Sequence, residues 1–328
     1  MRVLVLGGTH HVGRALVEVA QARGDSVTTL NRGSVPPAPG VEARYADRRI
    51  PGAFAAALGE GTWDAVLDTW SFEPAVVADS ARVLTGRVGY YGYVSSRSVY
   101  RWPIPNRADE SAPVVDGDPG STEAEDYAAA KRGAELAVEG LFDGPWLQAR
   151  AGLVLGPYEV VGRLPWWLDR IARGGRVPAP GPQDRPLQYV DGRDLAAWML
   201  RCAEAGTTGA FNAVSPPGHT TIAALLERCV EVTGSDAELV WRTPEQVEAA
   251  QVSGWTSLPI WVPPTGELAA LHDGDTTAAA SAGLVCRPMA ETVADTWDWL
   301  RAEGTPAPPS NRAGEIGLSA EQEERLLG

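Results

Sequence analysis

Tyr127 and Lys131 stand four residues apart in Tyr127-Ala-Ala-Ala-Lys131, inside a segment whose alanines and apolar spacing predict a helix over residues 122–141. That interval puts both side chains on one helix face. A phenol is a poor base near neutrality because its ordinary pKa is about 10, and a neighbouring ammonium favours the phenolate. Ser96, in Val94-Ser-Ser-Arg-Ser-Val-Tyr100 after a strand predicted at 88–94, could hydrogen-bond the same substrate oxygen that the tyrosine protonates. By itself a Tyr/Lys pair at this spacing is most often a solvated helix face. Its meaning comes from what precedes it in the chain.

Residues 2–6 are aliphatic and end in glycines, which predicts a buried parallel strand entering a tight turn. Apolar residues at helical spacing follow over 12–23 and stop at Gly24, and a second strand is predicted at 26–30. Gly7-Gly-Thr-His-His-Val-Gly13 therefore lies between a strand and a helix N-terminus, where backbone amides hold a dinucleotide pyrophosphate. Gly7, Thr9, His10, His11, Val12 and Gly13 are the expected contacts. Adjacent histidines with no surrounding carboxylates do not form a metal site, so no metal is expected. The strand end at Asn31-Arg32-Gly33 carries a guanidinium where an acid would bind the ribose of NAD, and a guanidinium can pair with a 2′-phosphate. NADP(H) is expected, with NAD(H) possible. With a nicotinamide in place, Tyr127 would pass a proton to or from the substrate oxygen while hydride moves, tuned by Lys131 and assisted by Ser96.

The elements needed to position these groups continue along the chain. Strands are predicted at 64–68 and 146–150 and a helix at 74–85, so the fold class is α/β, a Rossmann-type doubly wound parallel sheet. Residues 101–121 form a long loop. After Gly156-Pro157 the pattern loosens into short helices and Pro-rich turns such as Val177–Pro182, the start of a smaller C-terminal substrate-binding lobe. The division is a dinucleotide-binding domain at 1–155 with 187–214 returning to it, a lobe at 156–186 and 215–304, and a tail at 305–328 ending in a charged helix at 319–327.

A net charge of −14 disfavours nucleic acid and anionic membranes as partners. No apolar run reaches the length of a membrane span, and the short run at 2–6 is too brief for a signal peptide. The three cysteines are widely spaced, which fits a reducing cytoplasm.

These motifs resemble the extended short-chain dehydrogenase/reductase family, also called NAD-dependent epimerase/dehydratases. The resemblance spans nearly the whole chain. Tyr127 and Lys131 match its YxxxK motif, Ser96 its catalytic serine or threonine, and Arg150-Ala-Gly-Leu-Val-Leu-Gly-Pro157 the strand leading to the substrate lobe. It implies Asp47 near the adenine, Thr69, Trp70 and Ser71 beside the cofactor, and Arg185 where sugar-nucleotide enzymes hold a phosphate. His10 replaces the usual middle glycine, and with Asn31-Arg32 this resembles an atypical, NADP-leaning subgroup. Some relatives there have lost catalysis and bind RNA. Around the cleft, Arg97, Tyr100, Trp102, Tyr158, Arg163 and Gln188 are expected polar or aromatic contacts to a carbonyl or hydroxyl substrate, with Trp70, Trp166 and Trp167 as further aromatic wall. A ketone or aldehyde reductase is the first expectation. A sugar-nucleotide epimerase or dehydratase is the second, and a non-catalytic regulatory or RNA-binding protein the third. The absence of Thr-Asp-Glu at 96–98 argues against a sugar dehydratase. A homodimer is possible.

Overall fold

The computed structural model describes residues 1–124, 126–305 and 316–328. The first part alternates strictly: β1 (Arg2–Leu6), α1 (His11–Ala22), β2 (Ser26–Asn31), β3 (Glu42–Tyr45), α2 (Ala53–Leu58), β4 (Ala65–Asp68), α3 (Pro74–Leu84), β5 (Tyr91–Ser96), α4 (Tyr127–Leu141) and β6 (Trp146–Ala151). The second part comprises β7 (Leu153–Leu155), α5 (Arg163–Ala172), β8 (Arg176–Pro180), β9 (Pro186–Leu187), β10 (Tyr189–Asp191), α6 (Gly192–Ala205), β11 (Gly209–Ala213), β12 (Thr220–Thr221), α7 (Ile222–Thr233) and β13 (Glu238–Arg242). Further on come α8 (Pro244–Ala249), α9 (Thr277–Ser281), α10 (Met289–Glu303) and α11 (Ala320–Leu327).

Seven strands form the central parallel sheet in the order β11-β6-β5-β4-β1-β2-β3, the doubly wound arrangement. A sheet of this kind is covered on both faces, so its strands are apolar throughout instead of alternating. Strand β1 shows this directly. Val3 and Val5 join a core with α1 and α6, whereas Leu4 and Leu6 point to the other face and join a core with α2, α3 and α4.

A third core belongs to the C-terminal part. Leu164, Trp167, Leu168 and Ile171 of α5 pack there with Leu225 and Leu226 of α7, Val293 of α10 and Leu326 of α11. The Pro-rich stretch expected as turns is in fact strand β8, paired in parallel with β13. Only alternate residues of a parallel strand donate to a given neighbour. Gly181 donates to the carbonyl of Arg242, so Pro178 and Pro180, of opposite parity, fall where no N–H is required.

Helix α4 begins at Tyr127 and not at 122, because Asp126 caps it by accepting from the amides of Ala128 (3.0 Å) and Ala129 (3.1 Å). The Pro-rich linker expected after Thr305 lies largely outside the described residues. Helix α11 carries a capping box between Ser319 and Gln322 and docks on the third core, with Glu323 paired to Arg170 of α5. Among the described residues no helix is long and apolar enough to cross a membrane.

Candidate active site

Chain order fixes where the chemistry sits, because parallel strands present their carboxyl ends to one edge of the sheet. On that edge β1 runs into the glycine turn. Gly7 has φ 121°, and a Cβ there would strike the Thr69 hydroxyl; a Cβ on Gly13 would stand 2.6 Å from the Gly8 nitrogen. Only glycine allows α1 to start this close to β1. His10 caps α1 without a side-chain hydrogen bond, and the first turn of the helix holds no acidic residue. These features fit a nicotinamide dinucleotide whose pyrophosphate would rest on residues 7–13. Gly8 belongs with them: its φ is 90° and its missing Cβ avoids the Thr29 methyl. The double glycine was the available signal for it.

His11 does not face outward from the turn. It adopts φ 35°, and its Nε2 is buried without a hydrogen-bond partner beside Gly192 at the start of α6. Burial lowers its pKa to about 4; nearby Arg163 acts in the same direction and Asp191 opposes it. Its imidazole is therefore neutral near pH 7. At the ends of β2 and β3, burial lowers the pKa of His10 and nearby Arg32 adds to it, Arg32 also pulls down Asp47, and Asn31 accepts the amide of Gly33 at 2.8 Å. Asp47 comes down to about 2, chiefly through hydrogen bonds from Arg49. Thr69 donates to the Leu6 carbonyl at 2.9 Å and Ser71 to the Thr69 carbonyl at 3.3 Å, joining the loop after β4 to β1.

Lys131 is the sole lysine among 28 basic side chains, and it is 2% exposed. Its ammonium donates to the carbonyls of Trp70 (2.8 Å) and Val94 (2.7 Å), bridging the ends of β4 and β5. An ammonium has three donors, so one remains for a further acceptor. Burial brings its pKa down to about 7, with Asp68 and Glu135 opposing. The Tyr93 ring lies 4.7 Å and the Tyr127 ring 6.0 Å from Nζ. Tyr127 is 39% exposed, so lysine and tyrosine share a helix face as the spacing requires, one inside and one at the surface.

Ser96 ends β5, and its hydroxyl oxygen accepts the Ser98 amide at 3.1 Å and donates to the Ser98 hydroxyl at 3.1 Å. It caps the short turn Arg97–Val99. Helix α4 is anchored behind this edge by Glu135, which is fully buried and accepts from Ser95 (2.7 Å), Arg150 (2.9 and 3.1 Å) and Arg132 (2.9 Å). Sequence reasoning missed Glu135, because a lone glutamate on a helix carries no signal of burial. It equally missed the pair Arg48 and Asp68.

The expected substrate contacts divide into two groups. Arg97, Tyr100 and Gln188 are interior: Arg97 donates to the Leu271 carbonyl (2.8 Å), Tyr100 to Asn212 (2.7 Å), and Gln188 exchanges bonds with Gly274 (2.7 and 2.9 Å). Arg97 and Gln188 thereby hold residues 271–274 down. Arg185 does similar work on the carbonyls of Ala269 (2.7 Å) and Pro263 (3.2 Å). Tyr158, Arg163 and Trp102 are less enclosed. The Arg14 guanidinium lies 3.7 Å over the Tyr158 ring, and that of Arg163 lies 4.4 Å over Trp255. Trp102 packs beside Tyr100, Ile104 and Ala108 in a small satellite core. Trp70 donates its indole N–H to the Glu73 carbonyl (3.1 Å), and Trp166 packs edge-on to Trp167, which is fully buried in the third core.

The family model for the NAD dependent epimerase/dehydratase family matches residues 3–213. No curated protein matches the chain. Among solved structures, the Bordetella bronchiseptica enzyme WbmG, in complex with NAD and UDP, is similar at 17% identity and a TM-score of 0.68, over 93% of this chain and 96% of that one. The UDP-glucose 4-epimerase of Thermotoga maritima with UDP-glucose has 19% identity and a TM-score of 0.66, covering 92% and 99%. Human epimerase family protein SDR39U1 with NADPH has 20% identity and a TM-score of 0.60, covering 91% and 99%. At these identities the likeness concerns the fold.

Proposed function

The chain belongs to the NAD dependent epimerase/dehydratase family, and we propose that it is an NADP(H)-dependent oxidoreductase that reduces a ketone or aldehyde of a small or medium metabolite. The observation that carries this is Lys131: a chain that uses arginine everywhere else keeps one lysine, buries it, and hangs it four residues from a half-exposed tyrosine. Arginine cannot replace it there, since a guanidinium does not shed its proton and is too large for a position set by two carbonyls.

The bound nicotinamide would supply the hydride. Gly7, Gly8 and Gly13 would let the backbone approach the pyrophosphate, and Arg32 would take the 2′-phosphate of the adenine ribose. Tyr127 would deliver a proton from its hydroxyl to the substrate oxygen, with the nearby Lys131 ammonium stabilising the phenolate left behind. Ser96 would turn its hydroxyl from Ser98 toward the same oxygen. Tyr158, Arg163 and Trp102 would border the substrate.

A second reading is epimerisation of a sugar nucleotide, in which hydride returns to the same carbon. It is favoured by the structural likeness to WbmG, which was seen with NAD and UDP. The two separate by assay of the purified protein against ketones, aldehydes and sugar nucleotides. Net oxidation of NADPH supports reduction; retained NAD with no net consumption supports epimerisation and overturns the reductase.

A further inference from the structure

Arg48 follows Asp47 in the loop after β3, and it is almost completely buried. Both ends of its guanidinium clasp the Asp68 carboxylate, at 2.8 and 2.7 Å, and one also reaches the Ser80 hydroxyl at 2.6 Å. Asp68, fully buried at the end of β4, accepts two more bonds: the Tyr91 hydroxyl at 2.6 Å and the backbone N–H of Trp70 at 3.0 Å. Two bonds on, the Trp70 carbonyl receives the Lys131 ammonium at 2.8 Å and the Tyr93 hydroxyl at 3.0 Å. An unbroken hydrogen-bonded path thus joins the loop beside Asp47 to the lysine.

A buried bidentate pair of this kind is fixed in geometry, because losing either partner leaves an uncompensated charge in a low-dielectric interior. We propose that Arg48 is a positioning residue for Lys131: by holding Asp68 it fixes Trp70, on whose carbonyl the ammonium hangs, and it keeps the Asp68 charge occupied. The charged and titratable groups around the ammonium are Asp68 from β4, Tyr93 from β5 and Tyr127 and Glu135 from α4, with Arg48 behind Asp68. Glu135 is already neutralised by Arg150 and Arg132. Asp68 is the carboxylate whose effective charge depends on Arg48. The role rests on the reading of Lys131 given above, yet it can be tested without turnover.

Because Lys131 is the only lysine, full-length protein grown on lysine labelled with ¹³C at Cε gives one resonance, whose shift against pH reports one titration. In Arg48→Met the midpoint rises by about one pH unit or more, a tenfold gain in proton affinity, because Asp68 turns its whole charge on the ammonium. In Asp68→Asn it falls by a comparable amount. Arg48→Gln, neutral but able to keep one N–H on Asp68, takes the place of the Met variant if that does not fold by circular dichroism, and should also rise. Unchanged midpoints, or shifts of the same sign in the Arg48 and Asp68 variants, would overturn the role. Turnover that survives Tyr127→Phe would instead overturn the functional reading and leave these titrations standing.

Discussion

The Lys131 ammonium and the Trp70 carbonyl meet at 2.8 Å inside the protein, so a charge that ordinarily seeks water is held on a backbone dipole. Burial drives the group down to about 7, against an ordinary lysine near 10.5. Below pH 7 the amine is protonated whether folded or unfolded; between 7 and 10.5 the unfolded chain binds the proton and the folded chain does not. Stability from this group therefore rises with pH across that window. Urea unfolding at pH 6 and pH 10 should show wild type gaining roughly 4 kcal/mol relative to Lys131→Met, the depressed affinity being converted at ~1.4 kcal/mol per pH unit over the three units from 7 to 10.

Glu159 works in the opposite sense. Its carboxylate is fully buried, accepts the amides of Arg163 (2.7 Å) and Leu164 (3.2 Å), and burial raises its pKa to about 7, against those bonds and Arg163. Between about 4.5 and 7 the folded chain holds a proton that the unfolded chain has lost, so stability falls as pH rises through this range. Glu159→Gln should flatten the decline between pH 5 and pH 8, read by thermal unfolding. A parallel decline in both proteins would show that Glu159 is not its source.

The glycine turn gives a steric contrast. A methyl at Gly13 would lie 2.6 Å from the Gly8 nitrogen, whereas one at Gly140, exposed on α4, meets nothing within 4 Å. Gly13→Ala should weaken binding of NADPH at least tenfold in a fluorescence titration, since the helix start must shift off its strand. Gly140→Ala should leave binding unchanged and stabilise the protein by about 0.5–1 kcal/mol.

The proposed preference for NADP(H) rests on Arg32. Arg32→Glu should raise the dissociation constant for NADPH by an order of magnitude or more and that for NADH by much less, because only NADPH presents a 2′-phosphate. Equal changes for the two would remove the basis for an NADP(H) preference.

The central sheet was legible because its signals are local: an apolar strand into glycines, helical spacing, and a stop. Most of what escaped depended on partners distant in sequence, the cap at Asp126 being the local exception. Pro178 and Pro180 looked like turn residues, yet their parity against β13 makes them harmless in a strand. Asp126 ends a helix pattern that periodicity alone would extend to residue 122, because its carboxylate satisfies amides better as a cap than inside a turn. Tyr127, Lys131 and Ser96 were singled out by motif and order, and the catalytic roles given them are those proposed above. Arg97, Tyr100 and Gln188 could not be told from pocket residues, because a polar side chain beside a motif looks the same whether it meets a ligand or a loop carbonyl. Asp68, Arg48 and Glu135 were invisible for a related reason. Their pairings cross 15–20 residues of chain and form only when the strands assemble.

The most direct test follows NADPH absorbance while the purified protein meets a panel of ketones and aldehydes, wild type beside Tyr127→Phe. The expected result is oxidation of NADPH by wild type with at least one carbonyl compound, and a loss of about 10²–10⁴-fold in the variant with cofactor binding retained. Equal rates in the two proteins would contradict the assignment of Tyr127 as the proton donor.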